Sequence, residues 1–176
     1  LEEEMTTQKI FHWFWAWDDE KEEVWLREMA QKGWHFKSVS APGTYTFEQG
    51  EAKDFIYRLG YFIDQKNRLN YLQIFQDTGW EHMGEMGGWQ YFRKASVPGE
   101  ELEIFSDNES KAKKYQRILF ILVALLPLLI VNINNLNKMS NPFLQVLTFI
   151  FFCFLILYGY AIIKLGMRVN ALNKKL

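Results

Sequence analysis

The chain has 176 residues, with 20 Lys and Arg against 21 Asp and Glu. The near-neutral total joins two parts of opposite sign: residues 1–110 carry 11 basic and 21 acidic side chains, residues 111–176 nine basic and no acidic ones. An acidic first part argues against nucleic acid, whose phosphates call for a basic surface, and a single cysteine, Cys153, excludes a disulfide framework or a Cys-based zinc site.

In chain order, KIFHWFWAW reads as a strand with Phe11, Trp13, Trp15 and Trp17 on one face by the two-residue period. A helix follows, with Trp25, Leu26 and Met29 at helical spacing. It closes at Gly33-Trp34, where glycine supplies the left-handed residue and Trp34 packs back on Met29. Asp18, Asp19, Glu20, Glu22 and Glu23 crowd the start of this helix and complement its dipole. HFKSVS and TYTFEQG are two strands joined at Ala41-Pro42-Gly43.

Shifted by 46 residues, the chain lands on itself. Trp25-Leu26, Met29 and Gly33-Trp34 become Tyr71-Leu72, Phe75 and Gly79-Trp80. DFIYRLGYFI precedes the second helix as an alternating strand, and EHMGEM and WQYFRKA follow it around Gly87-Gly88. The expected fold class is therefore α+β: a duplicated strand–helix–strand–strand cytosolic domain over residues 8–95, with repeats 8–52 and 53–95. Residues 96–110 (SVPGEELEIFSDNES) read as a linker, in which Asp107, Asn108 or Ser110 caps the next helix.

Residues 111–176 read as a two-helix transmembrane hairpin. ILFILVALLPLLIV from Ile118 and FLQVLTFIFFCFLILYGYAII from Phe143 carry no charge. Spans of about 116–136 and 142–163 reach the roughly 20 residues that a bilayer core needs. Basic residues flank both outer ends, Lys111 to Arg117 and Lys164 to Lys175, while NINNLNKMSNP between the spans offers only Lys138. The positive-inside rule then places both termini in the cytoplasm. The acidic opening of the chain does not suit a cleavable signal.

The stretches WFWAWDDEKEEVWLREMAQKGWHFKSV, YTFEQGE, DFIYRLGYF and GWEHMGEMGGWQYFRKA resemble a family of bacterial membrane proteins catalogued as domain of unknown function 2812. The resemblance covers most of residues 8–95. It implies a bacterial cell-membrane protein with a cytosolic domain ahead of membrane helices, encoded beside transcriptional regulators, and supplies no activity or site residues.

Chemistry is sparse. His12, His35 and His82 lack metal-ligand spacing, so no metal or cofactor is expected. Gly84, Gly87 and Gly88 open no helix and form no phosphate loop. No nucleophile context appears, so no catalytic residue is assigned and an enzyme is not expected. The aromatic strands support two readings: core beneath two helices, or one wall of an open groove. Duplicated units of this kind are similar in architecture to bacterial effector-binding domains that cup planar or cationic drugs. On that reading the groove is lined from both repeats by Trp15, Tyr45, Tyr61, Glu85 and Tyr91, and takes a cation through rings and carboxylates. The leading function is a membrane-anchored sensor or regulatory accessory protein. The alternatives are a scaffold or interaction subunit of a membrane complex or transporter, and an enzyme with an unrecognised site. Expected partners are the lipid bilayer, further copies or another membrane protein, and a cationic or planar small molecule.

The flanking charges generate a topology test. Reporters fused at Met5 and after Leu176 should both report the cytoplasm, and one inserted beside Lys138 should report the outside; a loop shielded from external labelling would refute the two-span reading.

Overall fold

Two helices that each end at a glycine divide the first part of the chain into matching halves. In this computed structural model, which describes residues 6–97, 108–136 and 142–174, the first half is β1 (Thr7–Phe11), α1 (Asp19–Gln31), β2 (Trp34–Ser40) and β3 (Thr44–Gln49). The second is β4 (Phe55–Tyr61), a short 3-10 turn, α2 (Arg68–Asp77), β5 (Glu81–Met86) and β6 (Trp89–Ala95). Each half forms an antiparallel three-stranded sheet, ordered β1-β3-β2 and β4-β6-β5. The duplication extends to irregularities: β2 slips register between Phe36 and Ser38, and β5 does so at the corresponding step between His82 and Gly84.

Helix termination is likewise repeated. Gly33 and Gly79 adopt φ of 82° and 81°, the left-handed region that only glycine enters without strain. After α2 the bonds from Gly79 N–H to Gln76 O and from Trp80 N–H to Phe75 O complete a Schellman cap. After α1 Gly33 N–H bonds Ala30 O, and the Gly33 carbonyl accepts from Gly50 N–H.

The first strand departs from the sequence reading. β1 stops at Phe11, and Trp13, Trp15 and Trp17 lie on the connection to α1. The reason is the partner: Phe11 pairs with Thr44, the first residue of β3, and beyond the His12 N–H bond to Gly43 O no strand remains to receive them. Ile10 faces Tyr45 while Leu59 faces Tyr91, so the first strands run three residues out of step with the 46-residue repeat. Freed from the sheet, the three indoles pack on one another, Trp13 edge-on to Trp15 at 5.5 Å and Trp15 stacked on Trp17 at 5.3 Å.

The helices are not placed alike. Leu26, Met29 and Ala30 of α1 bury into one cluster with Phe36, Tyr45 and Phe47 of the first sheet and Tyr57, Leu59 and Tyr91 of the second. A smaller cluster of Ile56, Phe75, Trp80 and Phe92 lies between α2 and its own sheet. Alternate residues of β4 and β6 thus face different cores. Helix α1 touches β4 as well as β2, whereas among the described residues α2 contacts β5 and makes no matching contact with β1. The duplication therefore shows in strand order, register slips and helix caps but not in helix placement.

The chain divides into two compact units, Leu1–Ile104 and Phe105–Leu176. The second contains α3 (Asn108–Leu136) and α4 (Pro142–Asn173), both long and apolar enough to cross a membrane over Lys111–Val131 and Gln145–Asn173. The withdrawn positions Tyr115, Ile118, Leu122, Leu126 and Leu129 on α3, and Leu155, Tyr158, Ile162, Leu165, Val169 and Leu172 on α4, follow three- and four-residue steps. Such steps keep one seam facing a partner helix. Arg168 sits over Tyr115 and the Tyr158 hydroxyl donates to the Leu122 carbonyl, so the helices run antiparallel. Pro127 lies inside α3. Most of the expected linker (98–107) and the loop bearing Lys138 (137–141) lie outside the described residues.

The glycine caps generate an asymmetric prediction. Gly33→Ala and Gly79→Ala should each lose about 1–2 kcal/mol to left-handed strain. A Cβ at Gly33 would also meet the Gly50 carbonyl oxygen at 2.7 Å, whereas at Gly79 it meets only the flexible Lys94 side chain at 3.5 Å. Thermal melts should rank Gly33→Ala clearly below Gly79→Ala; equal melting points would contradict this account of the first cap.

Candidate functional site

One face of α1 carries Leu26 and Met29, and the same helical spacing extended backward reaches Glu22 and Asp19. The apolar stripe of the helix therefore begins with two acids. Both follow the stripe into the protein: Asp19 is 1% and Glu22 6% exposed. Here the sequence reading needs correction, because these carboxylates do more than complement a helix dipole at a solvated end.

Glu22 is held by both halves of the duplication. The Tyr45 hydroxyl on β3 donates to Glu22 Oε1 at 2.6 Å, and the Tyr91 hydroxyl on β6 donates to the same oxygen at 2.7 Å. Tyr45 and Tyr91 are equivalent in the 46-residue repeat. Among the described residues no group bonds Oε2 of Glu22. The neighbouring Glu23 accepts the Leu59 backbone N–H at 2.8 Å and Arg58 at 3.3 Å. Further along α1, Arg27 forms a two-pronged pair with Asp54, each contact 2.6 Å.

Above Glu22 opens a cleft of about 230 Å³. His12, Phe14, Trp15, Asp19, Glu22 and Tyr45 line it from the first half, joined by Pro42 and Gly43 of the β2–β3 turn; Met86, Trp89 and Tyr91 close it from the second. His12 stacks on Phe14 at 4.2 Å, and Trp15 remains 45% exposed at the rim. A cavity of about 150 Å³ suffices for benzene, so this one suits a ligand of roughly two fused rings.

Of the five candidate residues, the structure brings Trp15, Tyr45 and Tyr91 to this cleft. Tyr45 and Tyr91 are 2% and 1% exposed, so their rings belong to the core while their hydroxyls hold Glu22. Tyr61 stands behind it, edge-on to Trp89 at 5.4 Å. Glu85 lies elsewhere, beside Phe62, Ile63 and Gln90, and accepts from Gln90 at 2.7 Å and Arg68 at 3.0 Å. Those bonds, Gln90 first, hold its carboxyl below the usual range. Glu22, Asp19, Trp89 and His12 were missed. For the acids the signal was present in their position on the Leu26–Met29 stripe; Trp89 shares the two-residue period of Tyr91 on β6, and for His12 no spacing rule pointed to it. His35 bonds the Glu51 carbonyl and His82 the Gln90 side chain, and among the described residues no group of three or more metal-ligating side chains comes together.

The family model described as protein of unknown function (DUF2812) matches residues 18–126. The chain belongs to that family. The match begins at the acids that open α1 and takes in both tyrosines that hold Glu22. No match was found among curated proteins or among solved structures.

Burial raises the pKa of Glu22, and the nearby Asp19 charge adds to it, while the two tyrosine hydrogen bonds pull the other way and are outweighed. Burial and the Glu22 charge push both tyrosines far above their ordinary range. The sign for stability follows. An acid whose folded pKa exceeds its unfolded value binds more protons when folded, so its contribution is complete below the ordinary value of 4.5 and is lost as pH rises through the folded one. Asp54 behaves oppositely: hydrogen-bonded by Arg27, its pKa falls to about 2, and its contribution is lost as pH drops from the ordinary 3.8 toward that value.

Glu22→Gln keeps an acceptor for both tyrosines and removes the ionisation. Denaturation midpoints measured at about pH 5 and pH 8 should show the wild type losing stability relative to the variant as pH rises. A difference that stays flat, or that grows in the wild type's favour, would be inconsistent with a destabilised buried carboxylate.

Proposed function

We propose that this protein is a membrane-anchored binding protein that takes a planar, cationic small molecule in the cleft between its two repeats and acts as a sensor or regulatory accessory subunit. The observation that carries the reading is Glu22: a carboxylate 6% exposed, held by one tyrosine from each repeat, in the lining of an aromatic cleft. A buried acid unmatched by a basic group is costly for a purely structural role, and among the described residues no Lys or Arg lines the cleft. A ligand cation supplies the missing partner, and the ring faces of Trp15 and Trp89 attract the same charge. Trp15, which lines the cleft, is 45% exposed.

The anchor is the α3–α4 pair, which crosses the bilayer twice and keeps both termini in the cytoplasm of a bacterial cell. Its outward residues, such as Phe120 and Phe149, are large and apolar with 74% and 70% exposure, as lipid contact demands. A second reading, an interaction subunit without a small ligand, draws on two exposed apolar residues of α2, Leu69 at 80% and Ile74 at 63%.

Tryptophan fluorescence of the full chain in detergent micelles, titrated with 1-methylquinolinium, decides between them. The permanent planar cation should quench saturably, and Glu22→Gln should weaken its binding by about tenfold or more, equivalent to about 1.4 kcal/mol. If quenching does not saturate, or is equal in both proteins, the cleft is not a cation site and the interaction reading takes first place.

A further inference from the structure

Both tyrosine hydroxyls fall on a single oxygen of Glu22 and leave the other without a protein partner. A neutral carboxylic acid fits that arrangement: its carbonyl oxygen accepts two hydrogen bonds and its hydroxyl stands at the remaining position. An ionised carboxylate there would be almost out of water, one helical turn from Asp19, which is itself 1% exposed. Two adjacent anions in a low-dielectric site are strongly unfavourable, and protonating one is the ordinary relief.

Every element packed around Glu22 bears on its charge. Helix α1 contributes Asp19, and also Glu23, which is engaged by the Leu59 N–H and Arg58. Strand β3 contributes the Tyr45 hydroxyl and β6 the Tyr91 hydroxyl. The connection after β1 brings the His12 imidazole. Pro42, Gly43, Met86 and Trp89 bring no charge.

Building on the ligand class proposed above, we infer that the cleft exchanges a proton for its ligand: Glu22 is protonated while the cleft is empty and releases one proton for each cation that binds. The O–H bond of the Glu22 carboxyl breaks, the proton leaves through the open mouth to solvent, and the ligand's positive charge takes its place beside the carboxylate. No net charge enters or leaves the site, so below the Glu22 pKa the binding step leaves no uncompensated Glu22 anion. Tyr45 and Tyr91 serve as positioning residues that stabilise the anion once the proton has gone. Occupancy then depends on pH: ligand affinity increases about tenfold per pH unit below the Glu22 pKa and levels off above it. The protein senses the product of cation concentration and alkalinity rather than the cation alone.

The test is isothermal titration of the full chain in detergent micelles with 1-methylquinolinium, which has no proton of its own to release. Two buffers of different ionisation enthalpy are used, across about pH 5 to pH 8. Below the midpoint, close to one proton released per bound cation is expected, with affinity rising in step with pH. Tyr91→Phe removes a donor that favours the anion and should move the midpoint to higher pH; Asp19→Asn removes a like charge and should move it lower. Glu22→Gln should abolish proton release, and the two shifts in opposite directions remain diagnostic if that variant does not fold. Binding without proton release and without pH dependence would overturn the exchange and leave the binding function standing. A midpoint that follows His12→Gln and ignores both other variants would overturn it as well. Absence of binding at every pH would remove both the function and the exchange.

Discussion

A carboxylate held away from water must be satisfied by whatever surrounds it, and in this protein the surroundings are assembled from opposite halves of a duplicated chain. Glu22 receives Tyr45 from one sheet and Tyr91 from the other. A buried polar group left unpaired costs about 1–3 kcal/mol, more when charged, so neither sheet can shift without leaving the acid exposed to that penalty. The rest of α1 reinforces the tie. Glu23 caps the Leu59 amide, and Arg27 and Gln31 both reach Asp54, which gives one helix successive polar bonds to the second half along its length. With Leu26 and Ala30 fully buried beside these contacts, α1 acts as the shared spine of both sheets.

This arrangement explains which parts of the architecture were legible in sequence. The duplication was visible because its markers, Gly33-Trp34 and Gly79-Trp80, are fixed by backbone geometry that few other residues satisfy. The apolar helices were visible because two long uncharged runs leave no polar face. Trp13, Trp15 and Trp17 misled because alternation describes a strand only while a neighbour is there to pair with, and β3 begins too late to supply one. That limit is set by a turn at Ala41–Gly43, about thirty residues further on, and local pattern does not report it.

The site was harder to read for a different reason. Tyr45 and Tyr91 are core residues by exposure and site residues by their hydroxyls, so the choice between groove and core assigned to one role what the molecule divides within a single side chain. Glu22 was hidden by a sufficient local explanation: acids at the first turn of a helix need no further cause. Its alignment with Leu26 and Met29 was the available contrary sign, since a charge on the buried stripe is always accounted for elsewhere in the fold. Glu85 was attractive because it stands near aromatic strands, yet Gln90 and Arg68 already satisfy it.

The equivalence of Tyr45 and Tyr91 has a consequence for how far a duplicated unit can remain a copy of itself. Two phenols that meet near one point leave room for one acid between them. A second glutamate, at the matching place in α2, would compete for the same pair of hydroxyls and set two anions against each other. The residue at that place is Arg68, and it turns away to Glu85. Broken symmetry is thus a condition of the centre rather than drift in the spare half. It fixes the count too: two repeats share one acid between their paired tyrosines.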